Sequence, residues 1–175
     1  WKTTSVPTME AVEMYYTKNG LPWEDDPETK DIDPYAYNAE AGTVNLHLYK
    51  EPRFYASVGY DRGTYEIDGK EIPLYLRGGE LHGSMLKETD EYQSCTGYLC
   101  QKWIPKASTY SIPSNSFSFY YYAYPYLRLP ELYLSYAEAD FEYNGSLSTQ
   151  SLEYINLVRK RCGLPTFQAS WALAG

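Results

Sequence analysis

The most constraining feature of this chain is a pair of helical stripes near its C-terminal end, separated by a turn that only certain residues make. Leu129, Leu132, Tyr133, Tyr136, Ala137 and Phe141 recur at the spacing of one helix face. Pro130 is tolerated only in a first turn, so the spacing predicts a start near Leu127 to Leu129. Asn144-Gly145 ends that helix. A second begins around Ser148, with Leu152, Ile155, Val158, Arg159 and Cys162 on its inner side. Arg159, Lys160 and Arg161 meet its negative end, and Gly163 then Pro165 close it. Two helices joined this closely form an αα-hairpin, and Ala137 and Ala139 allow the close approach seen in tetratricopeptide repeats. One such hairpin cannot bury its own face and needs further packing. The expectation is a mainly α fold: a tetratricopeptide-like hairpin with irregular loops and a short β-hairpin.

The other segments carry shorter signals. Thr8 caps a short helix over residues 7–16, stopped by Asn19-Gly20 and Pro22. From Leu21 to Asn45, prolines and the acidic cluster Glu24, Asp25, Asp26, Glu28, Asp31 and Asp33 predict an exposed loop. Phe54, Ala56, Val58 and Tyr60 alternate, which predicts a strand turning at Asp61-Arg62-Gly63 to pair with Thr64–Ile67. Residues 77–96 are expected to be irregular, residues 96–105 to hold a short extended segment, and Ser108 to Ser118 to form a loop.

A net charge of −8, with 15 Lys and Arg against 23 Asp and Glu, excludes the basic footprint of a nucleic-acid binder and disfavours an anionic membrane surface. No apolar run reaches the roughly 20 residues of a membrane span, and no signal peptide is visible. Of three cysteines, Cys95 and Cys100 are near enough for a loop bridge, and Cys162 is expected to be a buried thiol. His47 and His82 stand alone, the acidic run lacks calcium-loop spacing, and no nucleophile elbow or phosphate loop is present. No cofactor and no metal are expected. Aromatic residues make up 17%, with 21 tyrosines, more phenols than a core of this size needs, so many must face solvent or a partner. In the run Tyr120, Tyr121, Tyr122, Tyr124 and Tyr126, alternate members are expected in the core.

Five segments, in order, carry a family resemblance. Tyr124 to Ala139 is similar to a pattern of an aromatic and Pro before R-x-A-E-x-x-L-x-Y-A-E-A. Ile155-Asn156, Val158-Arg159, Arg161 and Gly163-Leu164-Pro165 match I-N-x-V-R-x-R-x-G-L-P. Glu51 to Val58 resembles D-P-R-F-x-A-T-V, Thr96-Gly97-Tyr98 with Lys102-Trp103 resembles T-G-Y-x-x-x-K-Y/W, and Pro7-Thr8 with Asn19-Gly20-Leu21-Pro22 resembles P-T-x-x-x-V…D/N-G-x-P. Together they resemble the SusD/RagB family, with Glu51 in place of Asp and Pro130 in place of Ala. The resemblance implies the C-terminal portion of an α-rich SusD-like domain over residues 1–175, without its N-terminal helical-repeat half, lipidated cysteine and final helix.

It further implies a non-enzymatic protein of the outer membrane surface, anchored through a lipid absent from this chain. Such a protein binds oligosaccharides and delivers them to a SusC-like TonB-dependent transporter. Sugars are bound by aromatic platforms flanked by amides, carboxylates and arginines. Trp23, Asp25, Tyr35 and Tyr37 in one loop, and Trp103, are the candidate carbohydrate contacts, with packing as the competing role for both tryptophans. Two other classes fit the composition: a glycoside hydrolase with paired carboxylates, and a helical-repeat scaffold that binds protein.

Overall fold

The computed structural model describes residues 6–77, 80, 94, 96–102, 104–111 and 116–175. They divide into two units, one of residues 1–15 and 33–122, the other of residues 16–32 and 123–175. Among the described residues helix predominates over strand, and no helix is long and apolar enough to cross a membrane. His82, Cys95, Trp103 and the Gly78-Gly79 pair lie outside the described residues.

The first unit starts with α1, Met9–Glu13, where the Thr8 hydroxyl accepts from Ala11 N–H at 3.2 Å. The helix is shorter than the 7–16 expected. The buried Lys50 ammonium donates to the carbonyls of Glu13 and Tyr15, at 3.0 and 2.7 Å, and satisfies the end of the helix at that point. Strands β1, Tyr37–Asn38, and β2, Thr43–Val44, pair within the stretch expected as loop.

The strand expected over Phe54 to Tyr60 is instead mostly helix: α2 spans Pro52–Ser57, and only Val58–Gly59, β3, is extended. Pro52 sits in the first turn with a φ already suited to a helix. Phe54 and Val58, four apart, are both buried, whereas Ala56 is exposed. Glu51, where the family pattern has Asp, is fully buried, and the guanidinium of Arg53 grips its carboxylate through two 2.7 Å bonds.

The hairpin partner also differs. Strand β4, Thr64–Ile67, pairs with β5, Lys70–Pro73, not with residues 54–60. Asp68 and Gly69 both have positive φ, the geometry of a tight two-residue hairpin turn that an Asp-Gly pair favours. β6, Leu99–Cys100, pairs with β3 inside the extended segment expected there. Thr109–Ser111 and Ser116–Ser118, β7 and β8, form an antiparallel pair in place of the expected loop. The buried side chains of this unit include Val12, Leu46, Phe54, Val58, Ile67, Leu74, Leu76 and Tyr98.

The second unit follows the helix pattern closely. α3, Leu129–Asn144, ends on Gly145 at φ 69°, and α4, Thr149–Arg161, is capped by Ser148. Asp140 joins them, accepting from Ser148 N–H and Asn144 Nδ2, each at 2.8 Å, and from the Ser151 hydroxyl. These donors, the Ser151 hydroxyl foremost, hold the Asp140 carboxyl well below the usual range. Tyr133 stacks on Tyr154 at 4.5 Å and Tyr136 meets it edge-on at 5.3 Å, over the buried Ala137. Ala139 is exposed, as are Leu129, Leu132, Tyr136 and Phe141, so much of the expected buried stripe faces outward.

Cys162 is half-buried rather than buried, because it occupies the C-cap position beyond the last turn; it and Cys100 are free thiols. α5, Phe167–Ala174, is capped by Thr166, whose hydroxyl accepts from Ala169 N–H. Arg159 clasps this unit together. Its Nε donates to Pro165 O at 2.8 Å, and its Nη2 donates to Gly20 O at 3.0 Å and to Ser170 Oγ at 2.6 Å. Ser170 in turn donates to Asn19 O at 2.6 Å.

Candidate functional site

The described residues singled out from the sequence are divided between the two units. Trp23 and Asp25 belong to the second unit, Tyr35 and Tyr37 to the first. Asp25 is exposed, whereas Trp23 is only 8% exposed, in line with its competing packing role. Its indole N–H donates to Ile32 O at 3.0 Å, and Thr29 Oγ donates to the Trp23 carbonyl at 2.7 Å. The neighbouring Asp26 is fully buried and accepts from Thr17 Oγ at 2.5 Å, Asn19 Nδ2 at 3.1 Å and Glu28 N–H at 2.9 Å. The acidic run therefore works as a knot of turns around one carboxylate, with no metal-binding cluster among the described residues. Trp23→Ala is expected to lower stability by about 3 kcal/mol through lost packing and an orphaned carbonyl. Urea unfolding of the full-length protein checks this; an unchanged midpoint sinks the packing role.

Tyr35 and Tyr37 stand out from the surface, 55% and 57% exposed. The Tyr35 hydroxyl donates to the Glu13 carboxylate. Tyr37, on β1, belongs to a polar cluster that sequence reasoning missed, built around the largely buried Asp61. One Asp61 oxygen accepts from Leu76 N–H at 3.0 Å, and the other from Arg77 Nε at 2.7 Å. Arg77 also donates to Gly42 O, in the turn between β1 and β2, and its guanidinium carbon lies 5.2 Å from the Tyr37 ring centroid. Hydrogen bonds that Arg77 donates to Tyr37 and then to Asp61 raise its pKa.

On the other side of Asp61, the Arg62 guanidinium is 4.9 Å from the Tyr75 ring centroid and 2.5 Å from a Glu80 oxygen. The local sequence explains the arrangement. From Leu74 to Arg77 the chain alternates buried and exposed, so Leu74 and Leu76 enter the core while Tyr75 and Arg77 share the outer side. Arg62, at φ 71°, is a rare positive-φ residue, held by its N–H to Leu74 O at 2.9 Å. The missed signal was Asp61-Arg62-Gly63, read only as a turn, together with the alternation after Pro73.

Beneath this region His47 is buried. Its Nδ1 lies 2.7 Å from Thr43 Oγ and its Nε2 lies 2.9 Å from the Tyr98 hydroxyl, with Tyr60, Tyr98 and Phe54 around the ring. Burial drives its pKa down to about 4. The imidazole is a neutral packing group that joins β2 to Tyr98 of the T-G-Y segment. In the tyrosine run, Tyr120, Tyr121, Tyr122, Tyr124 and Tyr126 are all exposed, so the expected alternation into the core does not occur.

Comparison with known proteins bears on this arrangement. The model of the SusD family matches residues 2–174. Among solved structures, the chain is similar to selenomethionine BT4246, with a TM-score of 0.78 and 27% identity over 93% of this chain and 29% of that one. A second BT4246 structure gives 0.75 and 26% over 93% and 28%. A SusD-like protein, BF3747 from Bacteroides fragilis NCTC 9343, shares the fold at a TM-score of 0.57 and 19% identity, over 97% of this chain and 31% of that one. The chain thus spans under a third of the length of each of these three structures. No curated protein matches it.

Proposed function

The chain belongs to the SusD family, and on that premise we propose that its protein captures glycans at the cell surface and delivers them to a SusC-like TonB-dependent transporter. In this reading residues 1–175 are the C-terminal portion of a SusD-like domain, the α3–α4 pair is its tetratricopeptide-like hairpin, and a lipid outside this chain anchors it to the outer membrane. Tyr35, Tyr37 and Asp25 are the sequence-selected residues positioned at the surface to meet a sugar, while Trp103 lies outside the described residues. The observation that carries the proposal is the set of exposed tyrosines braced by charged partners in a chain matched to this family almost end to end.

The same cluster favours binding over hydrolysis. A retaining or inverting glycosidase needs one carboxylic acid able to donate a proton. In this cluster Asp61 accepts from Arg77 Nε and Glu80 from Arg62 Nη2, so both carboxylates are engaged as acceptors to cations. The test is affinity electrophoresis of the full-length protein on a glycan panel, with product analysis. Retardation without new reducing ends is expected. Released reducing ends would overturn the binding reading in favour of a hydrolase, and no retardation on any glycan would favour a protein-binding scaffold.

A further inference from the structure

We propose that Tyr37 and Tyr75, each backed by an arginine that shares Asp61, form a rigid platform for an uncharged glycan. This rests on the glycan-binding reading above and adds to it a place and a ligand class.

The argument begins with how the rings are held. A flat apolar face stacks more tightly on a pyranose when its orientation is fixed before the sugar arrives, since ordering a loose side chain weakens binding. Tyr37 is fixed from the strand side by β1 and by the Arg77 guanidinium, itself tied to Asp61 and Gly42 O. Tyr75 is fixed by its place between the buried Leu74 and Leu76 and by Arg62, tied to Glu80. Despite these contacts, 57% of Tyr37 and 38% of Tyr75 remain open to solvent. Both anchors meet at Asp61, whose carboxylate lies 2.7 Å from Arg77 Nε and 3.9 Å from Arg62 Nε. The two rings therefore belong to one braced surface rather than to two unrelated loops.

The ligand class follows from charge. Two guanidiniums face two carboxylates, Asp61 and Glu80, so the cluster is locally neutral. A sulfated or uronate sugar would have to displace one of these carboxylates to claim an arginine, in a chain that carries a net charge of −8 and repels polyanions. A neutral sugar needs no such exchange. Its C–H face lies on the tyrosines, and its hydroxyls meet guanidinium N–H and carboxylate oxygen at the rim.

The test is affinity electrophoresis of the full-length protein in gels containing neutral polymers (starch, mannan, galactan and xylan) or acidic ones (polygalacturonate and heparin). The parent is expected to be retarded by at least one neutral polymer. Tyr37→Ala with Tyr75→Ala should weaken that retardation at least tenfold, whereas Tyr37→Phe with Tyr75→Phe, which keeps both rings, should stay within about threefold. Thermal melting checks that each variant is folded. Should the double alanine variant melt far below the parent, the single variants Tyr37→Ser and Tyr75→Ser carry the same expectation. Unchanged binding by the folded alanine or serine variants would overturn the platform while leaving glycan capture intact. Preferential retardation on polygalacturonate or heparin would overturn the neutral class alone. No retardation on any polymer would overturn the glycan-binding reading and this inference with it.

Discussion

Gly20→Ala is expected to destabilise the protein by about 3–5 kcal/mol, a large effect for one added methyl group. Gly20 lies at φ 72°, where an L side chain costs about 1–2 kcal/mol. A Cβ built there would sit 2.1 Å from Nη2 of Arg159. A flexible arginine tip would simply move aside. This one is buried, and its donors are committed to Pro165 O, Gly20 O and Ser170 Oγ. Displacing it loosens bonds to a charged group, each contributing about 1.5–3 kcal/mol.

Hydrogen exchange of the α4 amides in full-length protein, alongside urea unfolding, reads the loss. The cost should be non-additive: in an Arg159→Met background, Gly20→Ala should cost only the backbone term, about 1–2 kcal/mol. Equal costs in the two backgrounds would refute the clasp.

Acid is expected to weaken the first unit through His47. The ordinary imidazole pKa of 6.5 falls to about 4 in the folded protein, first because burial penalises the charged ring, with Lys50 adding to the fall and Asp61 opposing it. Between those two values the unfolded chain takes up a proton that the folded chain refuses. Stability therefore falls as pH drops from about 6.5 to about 4 and levels off below, by about 2 kcal/mol at pH 5 and about 3 kcal/mol in full. Above 6.5 the group contributes no slope. Neutral His47 keeps both hydrogen bonds in either tautomer, because Thr43 and Tyr98 are hydroxyls that can donate or accept. His47→Gln should lower stability at neutral pH and flatten the slope between pH 6.5 and 4. A parent whose urea midpoint is the same at pH 7.5 and pH 5 would contradict this account.

The α3–α4 pair was the most legible part of the fold because its boundaries are written in local chemistry. Gly145, Ser148 and the basic last turn each act within a few residues of themselves. The misreading of Phe54 to Tyr60 has the opposite origin. Phe54 and Val58 satisfy both a two-residue and a four-residue period, and six residues are too few to choose between them. The Pro52 start was the deciding signal. Residues 108–118 looked like loop by composition, yet cross-strand pairing between β7 and β8 overrides weak propensity.

The site was legible only in kind. Tyrosine excess pointed to a surface role, and Tyr37 was among the residues named. Asp61, Arg62, Tyr75 and Arg77 come together through the β4–β5 hairpin and the Gly42 turn, contacts that no local pattern announces. For Trp23 the structure shows the packing role that competed with a platform: the ring is buried and its indole N–H donates to Ile32 O.

The Arg159 clasp also has a consequence for synthesis. It joins residues 139 positions apart, and the Ser170 bond to Asn19 spans 151. A ribosome makes the Asn19-Gly20 turn long before the guanidinium that secures it, at about 5–20 residues per second. For those seconds the carbonyls of Asn19 and Gly20 lack the Ser170 and Arg159 donors that hold them in the folded chain, although the local bonds of Gly20 N–H to Thr17 O and Thr17 N–H to Leu21 O can already form.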